Sequence, residues 1–334
     1  MTKKVFILLF CSCFYTIVKA QDPFLSQFYA SAQFLSPASV GTGGFESRVQ
    51  SNYRSQMLVG NNLYRTIVVG WDTRIKNKQE GVKNYLGIGA QVISDQVMQG
   101  ILQTNYATLN VGYHIFLDES LNNNIALGLG VTASQATLKL DQLKFADQYS
   151  YGAFIPGSTS LSLQNINNIS KISVNTGLLY TTHSEATFLQ MSANAFFYTK
   201  PELSNITQEA TNALKSVLFL NAEHVFFDRK TFMFHASYNS RNKIEQYLVG
   251  GSVGLPFGSD YTQVNRFYVG CYYRLNDAII PNINLLMNKY RLGLSYDIYS
   301  GAFSVANLKP SSFEISFSAG LGKKRGDNLR TIFD

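Results

Sequence analysis

The 334 residues are 46% hydrophobic and 13% aromatic yet only 15% charged, well under the roughly 25% charged content of a soluble globular domain. Disorder would need low hydrophobicity and high charge, and three cysteines are too few for a disulfide scaffold, so both are excluded. The formal charge of +7 falls to +4 once the first twenty residues, with three lysines and no acids, are set aside, a mild balance that does not announce nucleic acid.

In chain order, Lys3 and Lys4 precede an apolar run from Val5 to Val18, and Val18-Lys19-Ala20 follows at cleavage spacing, so residues 1–20 read as a secretory signal peptide. Cys11 and Cys13 lie inside that run; Phe10 before the first and apolar residues after the second argue against lipidation. The mature chain keeps Cys271 alone and so forms no internal disulfide. No later segment reaches the roughly 18 uncharged apolar residues of a spanning helix. The richest, Ala278 to Met287, is broken by Pro281, Asn282 and Asn284.

After a segment spanning 21–44, the chain alternates with period two. Over 45–57, Phe45, Val49, Tyr53 and Met57 share one face, while Glu46, Arg48, Gln50, Asn52, Arg54 and Gln56 share the other. The same alternation predicts strands at 62–76, 84–95, 101–117, 124–137, 172–182, 187–199, 216–227, 231–240, 246–255, 265–276, 278–288, 289–299 and 312–322, about fourteen in all. Many match the roughly 9–11 residues of a tilted strand crossing a bilayer. Cys271 falls on an apolar face, where an inert thiol is expected.

A soluble β-sandwich also alternates, but its wet face recruits many Lys and Glu. Here the polar face carries Gly, Ser, Asn, Gln and Thr with a few charges of both signs: Glu46, Arg48, Arg54, Asp72, Arg74, Glu223, Arg274, Arg291, Asp297 and Glu314. That composition suits a lumen of mutually satisfied side chains. The apolar face is nearly free of charge; Arg65 departs from this near a strand start, where it can snorkel at the rim. Aromatic residues, 20 Tyr and 24 Phe, supply interfacial girdles. An open edge in hydrocarbon would leave unpaired backbone groups, so the sheet must close. The expected fold is all-β: a transmembrane, antiparallel, up-and-down outer-membrane β-barrel over 45–322, followed by a basic tail, 323–334.

The connections 138–171, 200–215 and 300–311 all follow odd strands, and the shorter 77–83, 118–123 and 228–230 follow even ones. With both ends periplasmic, the longer set faces outward. No catalytic or cofactor site is legible. His114, His183, His224 and His235 lack metal or HExxH spacing and are expected to pack in girdle or lumen, so neither an enzyme nor a metal or cofactor is predicted. Gly87-Ile88-Gly89 and Gly128-Leu129-Gly130 sit within strands and read as close-packing positions.

Several ordered segments carry a family resemblance. Gln21-Asp22-Pro23-Phe24-Leu25-Ser26-Gln27-Phe28, then Leu35-Ser36-Pro37-Ala38-Ser39-Val40-Gly41, Arg48 and Tyr53-Arg54-Ser55-Gln56, resemble the opening of the PorP/SprF family. Tyr273-Arg274-Leu275-Asn276-Asp277-Ala278-Ile279-Ile280-Pro281, Ser295-Tyr296-Asp297-Ile298 and Phe313-Glu314-Ile315 resemble its closing strands. Ser36, Met57 and Ala193-Asn194-Ala195 depart from the family pattern. The resemblance implies a part in the type IX secretion and gliding-motility apparatus of Bacteroidota. Its barrels act with periplasmic ring and motor components, or serve export and surface attachment of a cargo with a C-terminal sorting domain.

On that footing the expected partners are outer-membrane lipid, ring components and cargo. Loops 138–171 and 200–215 would meet cargo, and a periplasmic segment 21–44 with Phe24 and Phe28, together with Lys323, Lys324 and Arg325, would meet the ring. A plain solvated terminus is the alternative for the basic tail. The rival function is a passive pore or small-hydrophobe transporter, since fourteen strands enclose a wide lumen.

Overall fold

The computed structural model describes residues 23–58, 61–76, 84–139, 148–150, 153–154, 168–198, 214–241, 244–258, 265–300 and 310–324. The signal peptide, Arg325 and most of loops 138–171 and 200–215 lie outside the described residues.

Strands β1 (Phe45–Leu58), β2 (Asn61–Lys76), β3 (Tyr85–Val97), β4 (Leu102–Phe116) and β5 (Asn123–Leu138) form an antiparallel meander. A two-residue pair, β6 (Tyr149–Ser150) and β7 (Ala153–Phe154), stands apart from it within the 138–171 connection. The meander resumes with β8 (Asn168–His183), β9 (Thr187–Tyr198), β10 (Leu214–Val225), β11 (Thr231–Arg241) and β12 (Ile244–Pro256). It ends with β13 (Asn265–Arg274), β14 (Ala278–Met287), β15 (Tyr290–Tyr299) and β16 (Ser311–Lys324). Pairing of β1 with β16 closes a barrel of the fourteen strands predicted, so no edge is left open.

Burial shows which face looks where. Leu109 is 69% exposed while its neighbour Asn110 is 2% exposed, the reverse of a water-soluble fold and the arrangement required of a wall with lipid outside and polar side chains within. Val92, Leu129, Val131 and Val269 belong to the outward apolar set, and Gln91, Asn175, Asn221 and Asn282 to the inward polar one. Cys271 is on the outward face. Arg65 is exposed near the start of β2, and its guanidinium donates to Gln96 Oε1, as a rim residue should. Placing a charge in the middle of the outward band should be costly: Leu129→Arg is expected to destabilise the folded barrel by about 2–4 kcal/mol, read as a lower denaturant midpoint for heat-modifiable migration.

Turns set the strand ends. The strand expected to run to 276 stops at Arg274, because Asp277 N–H turns back to the Arg274 carbonyl at 3.0 Å and Asn276 takes a φ of 57°, a conformation Asn tolerates better than most. Pro281 has no N–H, and the β14–β15 register accordingly skips Ile280 and Pro281. In the β4–β5 turn, Asp118 accepts from the Ser120 hydroxyl and from the N–H groups of Asn122 and Asn123, which holds its carboxyl below the usual carboxylate range. The mouths are unequal: the connections after β5 and β9 are far longer than any at the opposite end, where both barrel termini also lie.

Candidate functional site

The segment before β1 does not hang below the barrel as expected. It lies inside. Residues 25–44 are buried except Phe34, and three short helical turns, Phe28–Ala30, Ala32–Leu35 and Pro37–Ser39, fold it into the lumen. Pro23 and Phe24 sit beside Tyr299 and Pro310 at the long-connection mouth, and Gly41–Gly44 lead into β1 at the opposite mouth. The segment therefore traverses the ring. Its apolar side chains explain why: Leu25, Phe28, Tyr29 and Leu35 are all at most 3% exposed, and burying each such group contributes about 1.5–3 kcal/mol.

Toward the long-connection mouth the segment is held by a four-charge cluster. The Ser26 and Gln27 N–H groups donate to the two Glu314 carboxylate oxygens at 2.6 and 3.0 Å. The Ser26 hydroxyl donates to Asp297 at 2.8 Å and accepts from Arg54. Asp297 Oδ2 also receives Arg54 and Arg274, each at 2.8 Å. Arg54 reaches Glu314 at 3.5 Å, Asn52 donates to Glu314 at 3.0 Å, and Arg274 adds Asp277. Two guanidinium groups thus face two buried carboxylates, the condition under which buried charge is tolerated.

Midway, the Tyr29 ring stacks on His235 at 4.4 Å and on Tyr272 at 5.6 Å, its hydroxyl accepts from Asn282 at 2.9 Å, and Arg291 lies 5.8 Å from the ring centre. Toward the other mouth, His114 Nε2–H donates to the Val40 carbonyl at 2.8 Å; its ring stacks on Tyr85, over which Arg74 sits at 3.7 Å. Arg48 and Asp72, paired across β1 and β2 at 3.0 Å, complete the anchor: Asp72 accepts the Gly41 N–H at 2.8 Å. Gly41 has φ +74°, a conformation that favours glycine.

A row of four glycines receives the segment. Gly87, Gly112, Gly128 and Gly177 are consecutive cross-strand partners on β3, β4, β5 and β8. A Cβ on Gly87 would strike the Val40 carbonyl, and one on Gly128 would strike the Ala38 backbone. The close-packing expected at Gly87 and Gly128 is thus contact with residues 37–40, which approach the wall as only a bare backbone allows.

Of the predicted lumen residues, Arg48, Arg54, Asp72, Arg74, Arg274, Arg291, Asp297 and Glu314 all face inward, and most of them touch the segment or its anchors. Glu46 does not join them. It is exposed at the rim, where β1 carries a register shift between Phe45 and Ser47, and such a bulge re-aims a side chain. Phe28, expected as a partner contact, is 1% exposed and packs against Tyr29 and His235; Phe24 lies at the long-connection mouth with Arg274 over its ring at 5.1 Å. Lys323 is exposed at the opposite mouth, whereas the Lys324 side chain and Arg325 lie outside the described residues. Ser26 and Gln27 stand in a segment of family resemblance, and His114 and His235 were expected to pack in girdle or lumen, but no local signal shows that these residues, Tyr29 and Tyr272 join the lumenal segment to the wall. Among the described residues no group of His, Cys, Asp and Glu is disposed to hold a metal ion.

Comparison with known proteins adds three findings. The family model for the type IX secretion system membrane protein PorP/SprF matches residues 17–319. No curated protein matches by sequence. Among solved structures, the Ralstonia pickettii toluene transporter TbuX superposes with a TM-score of 0.50 at 8% identity, covering 87% of this chain and 94% of that one. The CymD monoaromatic hydrocarbon channel gives 0.50 at 11% identity, covering 89% and 94%. At such identities the likeness shows the outer-membrane barrel fold alone.

Proposed function

This chain belongs to the PorP/SprF family of type IX secretion system membrane proteins, and from that premise we propose that it is a non-enzymatic outer-membrane component of the apparatus. It binds exported cargo and periplasmic ring components and so supports secretion or surface attachment. One observation carries the reading over the rival of a passive pore or small-hydrophobe transporter: the lumen is filled by the chain's own residues 25–44, fastened toward both mouths by buried ion pairs. A body of that kind is suited to docking.

Longer connections face outward in such barrels, so the mouth holding Phe24 and the 138–171 and 200–215 loops is the cargo side. The opposite mouth, with exposed Lys323, is the side offered to the ring. Affinity purification of the tagged chain from detergent-solubilised membranes should recover ring components and a sorting-domain cargo. Recovery of neither, together with a steady open channel in planar bilayers, would reject the assignment in favour of transport.

A further inference from the structure

We propose that the long-connection mouth contains a binding site for a small organic amine, its ammonium held by the Asp95 carboxylate and its apolar body on the aromatic face of the lumenal segment. Burial identifies the acid. Five carboxylates are buried among the described residues: Asp72, Asp95, Glu223, Asp297 and Glu314. Four of them hold an arginine, since Asp72 has Arg48, Glu223 has Arg266, and Asp297 and Glu314 share Arg54. Asp95 is 8% exposed and holds none; among the described residues its one hydrogen-bond partner is the Thr66 hydroxyl, at 2.5 Å directly across the β2–β3 pair. A buried carboxylate with a single neutral donor calls for a cation.

What Asp95 faces sets the rest of the ligand. It lines a cavity of about 350 Å³ that opens at this mouth, together with Tyr64 on β2 and with Phe24, Phe28, Phe34 and Leu35 of the lumenal segment. That size is at the small end of the roughly 300–1,000 Å³ typical of small-molecule sites, which excludes a folded partner as the occupant. Phe34 packs on the cluster of Leu25, Val68 and Ile93, and Ile93 stands two residues from Asp95 on the same inward face, as Tyr64 does from Thr66. Aromatic surface therefore flanks the carboxylate on both strands. Aromatic rings attract ammonium groups over their faces, and an ammonium on a carboxylate makes charge-assisted hydrogen bonds. Arg54 and Arg274 in the lining are already matched by Asp297, Glu314 and Asp277, three acids to two guanidinium groups. Lys215 and Arg241 line the far wall, on β10 and β11 across the ring from β3, and have contacts of their own.

The proposal does not depend on the secretion role. It is tested on the full chain in nanodiscs of zwitterionic lipid with three soluble probes of equal body, phenylbutylamine, phenylbutanol and phenylbutyrate, and with empty nanodiscs as the partition control. Saturable binding of the amine about tenfold tighter than the alcohol is expected, the difference made by charged hydrogen bonds, with the acid weakest. Asp95→Asn, which keeps the shape of the side chain and an acceptor for Thr66, should bring amine and alcohol together. Glu245→Gln removes a carboxylate of the same lining that already serves the Tyr238 and Tyr247 hydroxyls, and should keep most of the preference. Phe34→Ala should weaken amine and alcohol alike. Heat-modifiable migration checks that each variant has folded. Absence of saturable binding, equal affinity of the unaltered chain for amine and alcohol, tighter binding of the acid than of the amine, a preference unmoved by Asp95→Asn, or one lost equally in Glu245→Gln would overturn the site.

Discussion

Replacing Gly128 with leucine is expected to drive residues 37–40 off the barrel wall and turn a silent barrel into a conducting one. A Cβ at Gly128 falls on the backbone of Ala38 and the Pro37 carbonyl carbon. Backbone cannot escape by a rotamer change, and Gly87, Gly112 and Gly177 flank the position in one row, so the whole trench is fitted to bare chain. The wall strands β4, β5 and β8 are each paired on both sides, which makes the lumenal segment the part that yields. Discrete current steps in planar bilayers should appear for Gly128→Leu and be absent from the unaltered chain. Gly43→Ala is the matched control, since its Cβ would meet only the Arg48 side chain, at 3.5 Å, and it should stay silent. A quiet Gly128→Leu barrel that still shows heat-modifiable migration would remove the glycine row from the account of how the lumen is filled.

The second large effect is expected at Asp297. This fully buried carboxylate is shared by Arg54 and Arg274 and by the Ser26 hydroxyl, so Asp297→Ala strands two guanidinium groups away from water with Glu314 as the remaining buried acid. Loss of one partner from a buried ion pair costs about 3–5 kcal/mol. A drop of that size should register in the denaturant midpoint of the barrel. Asp277→Ala is the comparison: its side chain is 32% exposed, and partly solvated pairs contribute about 0.2–1 kcal/mol. Similar midpoints for the two variants would show that the cluster does not hold the segment as described.

Both predictions rest on contacts between a segment near the start of the chain and a wall completed at its end. The wall was readable. Alternation is a local property, since the side chains of a strand point alternately to two faces, and Arg48, Arg54, Asp72, Arg274, Asp297 and Glu314 could be assigned to the inner face from neighbours a few residues away. Strand ends were less legible, because they depend on turns such as Arg274–Asp277, and Glu46 escaped because a register shift at Phe45–Ser47 interrupts the alternation beneath it. The partners of those inner charges had no local signature. Ser26 reaches Glu314 across 288 residues, and nothing periodic in 21–44 says that its phenylalanines and tyrosine belong inside a ring.

The sequence by itself determined a closed fourteen-strand wall, its lipid and lumen faces, and the inequality of its two mouths, because each follows from alternation and from the spacing between strands. Only the tertiary structure decided what the ring encloses. Closure brings β1, β15 and β16 around one space, and the buried carboxylates left there are satisfied by Ser26 and Gln27 as well as by the wall's own arginines. That choice of partner is made by geometry in the finished barrel, since an unpaired charge buried there would be costly.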